Sequence, residues 1–297
     1  MSHAPIFIVG VGRSGTTLIR QMINSHSQIA VPYESHFMTK YINKLEQYGS
    51  LDVNNNFERL IEDICAEPIL NNWDYSPSAA ELLESSPNRE LASVLGHFFN
   101  LYARYHGKTL WGDKSDYLDR MYMIRRLFPN AKFIHIIRDG RDVASSVLKM
   151  PWGPTNVKRA AEWWSTYVRL GCSMGRMLDE DKYMEVRYED LVAAPEEQLQ
   201  NICKFIGVEF EPGMLDFYKD SKKFIPQSLV YQHYNADTAA NTSRLEAWRN
   251  EMSEVDCALF QQIAGDVLAD MGYPIIEHSI SPLRTKVRSL QLQLGFS

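Results

Sequence analysis

The sequence predicts an α/β protein, a single domain with a central parallel sheet flanked by helices. Three observations carry that expectation. Short apolar runs, at Ile6–Val9 and Lys132–Ile137, alternate with longer segments of helical periodicity. The second run is bounded by Pro129-Asn130 and Asp139-Gly140, which punctuate a strand at both ends. No repeat, low-complexity tract or Pro/Gly/Ser-rich linker divides the 297 residues. Strands that alternate with helices form parallel sheets through helical crossovers, covered on both faces.

In chain order, the Ile6–Val9 run leads into a helix over about 16–24 and a brief apolar run at 29–31. Residues 36–106 read mostly as helices, broken near 54–56, 71–77 and 87–88, and are expected as an insertion over the C-terminal edge of the sheet. A short strand is predicted at 109–111 and a helix over 117–128, ended by Pro129-Asn130. Beyond the 132–137 strand come helices near 141–149, 157–178, 195–206 and 253–271, and a strand at 183–186. The domain, 1–297 overall, has its core over 5–275, with 276–297 as a tail. In the tail, Arg284, Lys286 and Arg288 mix with Leu290, Leu292 and Leu294, which suits an exposed tail or a dimer-packing element of a homodimer.

Composition narrows the function classes. Hydrophobic residues make up 45% and charged residues 23%, an ordinary globular balance long enough to bury a large core. Lys and Arg total 31 against 37 Asp and Glu, a formal charge of −6, which argues against bulk nucleic-acid binding. An anionic ligand must therefore be held by a local pocket. Cys65, Cys172, Cys203 and Cys257 are scattered without a CxxC pair, as expected of free thiols in a reducing compartment rather than a zinc site. The opening apolar run is too short for a signal sequence, and no window approaches 18 apolar residues. The expectation is a soluble, cytoplasmic protein without a membrane span.

The informative segment is IFIVGVGRSGTTLIRQM, in which a strand enters Gly10-Val11-Gly12-Arg13-Ser14-Gly15-Thr16-Thr17 and a helix begins at once. Glycines permit the sharp turn, and the new helix adds free N–H groups and the positive end of its dipole, so the loop is an anion cradle of the P-loop type. The nucleoside triphosphate loop has the form GxxxxGK[ST]. Here Thr16 stands at the lysine position and the cation has moved to Arg13, inside the loop. That displacement argues against a P-loop small-molecule kinase, which is kept as an alternative together with a non-catalytic nucleotide-binding protein.

At this point GRSGTTLIR resembles the 5′-phosphosulfate loop of sulfotransferases that use 3′-phosphoadenosine 5′-phosphosulfate (PAPS), in the arginine form found in tyrosylprotein sulfotransferases and bacterial relatives. The resemblance runs discontinuously from about residue 5 to 273. It implies that Arg13, Ser14, Gly15, Thr16 and Thr17 hold the phosphosulfate end of this co-substrate, whose product is 3′,5′-ADP. In FPNAKFIHIIRDGRDVASSVLKM, a strand ends at Arg138 and Ser146 follows eight residues on, matching the family's 3′-phosphate motif. A guanidinium at a strand's C-terminal end suits a phosphate dianion. The second basic residue that tyrosylprotein sulfotransferases often place twelve positions after this arginine is Met150 here, beside Lys149. In MEVRYEDLVAAPEEQLQ the resemblance sets Tyr188 near the adenine, with Glu189 and Asp190 in capping and turn bonds. NTSRLEAWRNEMS resembles the segment that closes over the phosphates; Ala247 replaces the basic residue before Trp248, and Arg244, ahead of Arg249, is the substitute.

The same resemblance assigns the chemistry. Glu34, in VPYESHF, lies 21 positions after Arg13, the distance of the catalytic glutamate of tyrosylprotein sulfotransferases, and is the candidate general base, with His36 its rival. Lys114, in LWGDKSDYLDRM, matches a lysine beside the transferred group, although Asp116 replaces the family's proline; as a surface residue it would pair with Asp113 or Asp116. Arg13 and Lys114 would stabilise the leaving phosphate, and no clustered ligands for a metal stand out. The implied reaction is in-line transfer of a sulfuryl group to a hydroxyl or amine. The acceptor would be a small molecule, carbohydrate or lipid rather than a peptide. Its contacts are expected in the 36–106 stretch and the 150–156 loop. The aromatics Trp73, Tyr75, those at 98–105, Trp152 and Trp163-Trp164 are read as core.

Overall fold

The computed structural model describes residues 4–219 and 242–294. Asn241, which begins the NTSRLEAWRNEMS segment, and the last tail residues, 295–297, lie outside the described residues. Five strands, β1 (Ile6–Val9), β2 (Ile29–Ala30), β3 (Leu110–Lys114), β4 (Lys132–Ile137) and β5 (Tyr183–Arg187), make one sheet in the order β2-β3-β1-β4-β5. Every neighbouring pair is parallel, and Ile8 of β1 sits between Lys114 and Ile134. This is the single α/β domain with a central parallel sheet that the sequence predicts.

β1 and β4 are near-continuous apolar runs because both faces of the sheet are covered. Ile6, Ile8, Ile134 and Ile136 pack with Ile19, Met22 and Ile23 of α1 (Thr16–Asn24) and with Leu199 and Ile202 of α10 (Pro195–Ile206). The alternate residues Phe7, Val9 and Phe133 face the larger core. That core takes Phe98 and Phe99 from α5 (Leu91–Tyr105), Trp164 from α8 (Val157–Gly175) and Phe260 from α12 (Glu254–Asp270). Between β2 and β3 the chain forms α2 (Met38–Tyr48), α3 (Asn54–Cys65), α4 (Ala79–Ser85) and α5, whose inward faces join the same core.

Two segments differ from expectation. β3 extends to Lys114 although Gly112, Asp113 and Lys114 carry no apolar side chain. A Cβ on Gly112 would lie 2.8 Å from the Ile6 carbonyl oxygen, so glycine permits the close pairing with β1, and Asp113 is buried by hydrogen bonding instead of by hydrophobicity. The predicted 117–128 helix is a 3₁₀ turn at Leu118–Arg120 followed by α6 (Met121–Leu127). At the C-terminus, α13 (Pro282–Gln293) is a docked helix: Leu292 is buried and Arg288 donates to Asp256 of α12 at 2.9 Å, leaving Leu283, Val287 and Leu290 outward. The four cysteines are free. Among the described residues, no helix is long and apolar enough to cross a membrane.

The order of the strands positions the site. The chain builds β2 and β3 to one side of β1, then crosses to β4 and β5 on the other. Such a crossing opens a crevice at the C-terminal ends of the strands, where open α/β sheets hold ligands.

Candidate functional site

β1 ends in the glycine loop. Gly15, at φ 95°, and Arg13, at φ 73°, both adopt the left-handed conformation, which turns the chain back so that α1 starts at Thr16 with its first N–H groups facing the crevice. Close packing also demands glycine here: a Cβ on Gly10 would lie 2.6 Å from the Ile136 carbonyl oxygen, and one on Gly15 would lie 2.4 Å from Cδ2 of Tyr188. Thr16, Thr17 and Arg13 line a cleft of about 830 Å³.

Glu34 and Lys114 line the same cleft. Lys114 Nζ donates to Glu34 Oε1, and His36 Nε2 lies 2.7 Å from Glu34 Oε2, so both candidate bases and the candidate lysine form one contact chain. The lysine therefore pairs with Glu34 rather than with Asp113 or Asp116, the partners expected of a surface lysine. Burial pulls the Lys114 ammonium down from 10.5 to about 7; Asp116 opposes this and the charges of Arg20 and Arg13 assist it.

The turn that carries Glu34 is clamped from below. Asp113 is fully buried and accepts from Ser35 Oγ at 2.5 Å and from Ser115 Oγ at 3.3 Å. Ser115 Oγ in turn accepts from the backbone N–H groups of Ser35 at 2.9 Å and His36 at 3.1 Å, and Tyr117 Oη is 2.9 Å from Ser35 Oγ. Burial holds the Asp113 carboxyl above its ordinary range, while the donors from Ser35, Tyr117 and Ser115 pull the other way. Sequence reasoning missed this clamp; its only trace was an aspartate inside an otherwise strand-like run beside Lys114.

A second cluster lies behind the loop. Arg138, at the end of β4, is 7% exposed; its guanidinium stands 4.3 Å from the centre of the Tyr188 ring and donates to the backbone oxygens of Arg244 at 2.7 Å and Arg13 at 3.3 Å. Arg13 Nε donates to Ser146 Oγ of α7 (Gly140–Val147) at 3.0 Å, which ties the two clusters together. Asp142, 3.5 Å from Arg138, accepts from the backbone N–H groups of Trp248 at 2.9 Å and Glu246 at 3.0 Å, fixing the entry to α11 (Trp248–Glu251). The Arg244 guanidinium donates to Glu251 at 2.8 Å, Lys149 reaches Glu251 at 2.9 Å, and Arg249 pairs with Glu246 at 2.7 Å. Four buried polar atoms here, Arg138 Nε, Ser14 Oγ, Ser145 Oγ and Trp248 Nε1, find no hydrogen-bond partner among the described residues. Such atoms are costly unless something supplies the missing bonds.

The expected acceptor regions reach the cleft unequally. Trp152, Gly153 and Pro154 of the 150–156 loop line it, whereas the 36–106 stretch contributes His36 and Ile69. Trp164 is core as expected, but its neighbour Trp163 and the half-exposed Trp152, both expected in the core, face the cleft. Away from the cleft, His135, Cys172 and Glu185 bring ligand-type atoms within 4.8 Å of one another, a cluster that their sequence separation concealed. Tyr183 Oη sits among them, 2.7 Å from His135 Nδ1 and donating to Glu185 at 3.0 Å.

Fold and site together define an α/β protein whose strand–glycine-loop–helix opens onto a crevice bearing cations and a carboxylate at the sheet's C-terminal edge. Residues 5–212 match the model of the sulfotransferase family, and the chain belongs to that family. It is 26% identical over 277 residues to a protein-tyrosine sulfotransferase of Drosophila melanogaster, covering 90% of this chain and 49% of the relative; the chain thus spans about half that relative's length. Among solved structures, the sulfotransferase domain of the Synechococcus PCC 7002 olefin synthase superposes with a TM-score of 0.65 at 23% identity, covering 92% of this chain and 97% of that one. A mouse sulfotransferase complexed with PAP superposes with a TM-score of 0.52 at 12% identity, covering 97% and 89%.

Proposed function

We propose that this protein transfers the sulfuryl group of PAPS to an acceptor hydroxyl or amine, with Glu34 as general base. The observation that carries the reading is the contact chain Lys114–Glu34–His36 set beside Arg13 and the N-terminus of α1 in one cleft. Family membership supports sulfuryl transfer, and the PAP bound by the mouse relative supports the donor.

The residues fit that donor. The glycine loop and the N–H groups of Ser14, Gly15, Thr16 and Thr17 receive the 5′-phosphosulfate, and Arg138 with Ser146 receives the 3′-phosphate. The unpaired Arg138 Nε and the hydroxyls of Ser14 and Ser145 are donors awaiting acceptors. Tyr188, already under the Arg138 guanidinium, borders the adenine, and the Arg244 guanidinium turns from Glu251 to the phosphate oxygens. PAPS supplies an activated sulfuryl group on a good leaving phosphate; positioning and charge stabilisation are left to the protein. Glu34 takes the acceptor proton, and Lys114 and Arg13 meet the charge that gathers on the departing phosphate. No metal is assigned a part. We place the activity in the cytoplasm.

Transfer of label from PAPS to an acceptor panel tests the reading, with calorimetry of 3′,5′-ADP beside that of Mg²⁺-ATP. Binding of 3′,5′-ADP but not ATP is expected. ATP binding alone would favour the kinase alternative, and donor binding with transfer that neither Glu34→Ala nor Lys114→Ala slows would remove the catalytic assignment.

A further inference from the structure

α8 presents Arg159, Trp163 and Tyr167 to the cleft at four-residue intervals. Trp152 arrives from the loop after α7 and is 50% exposed. A Cβ on Gly12 would lie 3.1 Å from Trp152 Cη2 and 3.6 Å from Trp163 Cη2, so two indoles converge on one spot of the glycine loop, beside the proposed reaction centre. Asp116, Asp119 and Arg120, which follow β3, line the same cleft. Asp119 and Arg120 stand 3.6 Å apart, and Arg159 reaches Thr155 Oγ1 at 3.5 Å. The cleft thus joins an aromatic surface to a rim of carboxylates and guanidiniums.

That combination discriminates among acceptors. An alkyl or wholly aromatic molecule would cover the indoles but strip water from the rim without replacing its hydrogen bonds. An acidic peptide would meet Asp116, Asp119 and Glu34 as well as the arginines, a poor electrostatic match. A pyranoside suits both parts: its C–H face lies on the indoles, and its hydroxyls both donate to carboxylates and accept from guanidiniums. We propose that Trp152, Trp163 and Tyr167, with Asp116 and Asp119, form a glycoside subsite and that the acceptor is a sugar hydroxyl. This rests on the sulfuryl-transfer reading. The sugar oxygen bonds to sulfur as the bond from sulfur to the phosphate oxygen breaks. The hydroxyl proton passes to Glu34 and the electron pair leaves on 3′,5′-ADP, giving a sugar sulfate ester.

The test uses disaccharides of gluco, manno, galacto and N-acetylated type, set against 2-naphthol, 1-octanol and an acidic tyrosine peptide. Tryptophan emission reports binding independently of donor chemistry, and label transfer from PAPS reports turnover. At least one disaccharide is expected to shift the emission and to accept sulfate. Trp152→Ala and Trp163→Ala are each expected to raise its KM by about tenfold or more with kcat changed far less. Trp152 is half exposed, so its removal leaves the fold standing; urea midpoints check Trp163→Ala. The proposal is overturned if every disaccharide is silent and inert while naphthol, octanol or the peptide is sulfated, or if both substitutions leave the sugar KM unmoved. A protein that responds to sugar but binds no 3′,5′-ADP would refute the donor reading and leave the subsite standing. One that binds 3′,5′-ADP yet ignores every sugar would do the reverse.

Discussion

Three glycines of one loop are predicted to tolerate alanine very differently. In Gly15→Ala the new Cβ lies 2.4 Å from Tyr188 Cδ2 and 2.9 Å from Cε2, at a backbone φ of 95°. The left-handed conformation alone costs about 1–2 kcal/mol for a residue with a Cβ, and overpacking adds about 1–3 kcal/mol. The expected destabilisation is therefore roughly 2–5 kcal/mol, a large share of the ~5–15 kcal/mol that holds a domain together. Gly10→Ala meets the Ile136 carbonyl oxygen at 2.6 Å, a backbone atom that cannot rotate away, so it belongs with Gly15→Ala. In Gly12→Ala the nearest atom is the outer edge of the half-exposed Trp152 ring at 3.1 Å, a side-chain contact that a shift of a few tenths of an ångström relieves, which keeps the cost below about 1 kcal/mol. Urea unfolding of the three variants, read as shifts of midpoint at constant slope, measures the differences. Gly15→Ala should also weaken 3′,5′-ADP binding, because displacing Tyr188 displaces the guanidinium stacked on it. If Gly12→Ala proves as destabilising as the other two, the packing argument is wrong.

Further outcomes follow from the site. Glu34→Gln should lower kcat by roughly 10²–10⁴-fold with little change in KM for PAPS, and a loss below tenfold would remove Glu34 as base. Burial lowers the Lys114 ammonium to about 7, so a step that needs its charge is expected to fail as pH rises through that value. Lys114→Arg should abolish that alkaline limb in whatever activity it retains; a limb unchanged in the variant assigns it elsewhere. Arg138→Lys loses the forked contact and the stacking on Tyr188, and should weaken 3′,5′-ADP binding by about ten- to a hundredfold in calorimetry. Undiminished binding would show that Arg138 does not hold the 3′-phosphate.

Regular elements were legible where one local signal was sufficient. The apolar runs of β1 and β4, the glycine–threonine junction at α1 and the Pro195 start of α10 announce themselves. The last three residues of β3 carry no hydrophobic signature that would extend the strand from sequence, although Asp113 is as buried as any isoleucine. The site was legible as a set of candidates and not as a set of contacts. That Lys114 turns to Glu34, Arg13 to Ser146 and Arg138 to the backbone of residue 244 depends on segments 80, 133 and 106 residues apart. Trp163 and Trp164 differ in fate by one step of about 100° around α8, a distinction the helical period allows but cannot orient without knowing which face the sheet takes.

The Arg138 guanidinium rests on two carbonyl oxygens, those of residues 13 and 244. Because both belong to the main chain, substitution of either side chain leaves those oxygens available. The seat of Arg138 is therefore independent of the tasks that the Arg13 and Arg244 side chains carry, and losing either of those side chains does not by itself unseat the arginine between them. A ligand that claims this guanidinium must compete with backbone on both sides, so the exchange links the glycine loop to the segment that enters α11 in a single event.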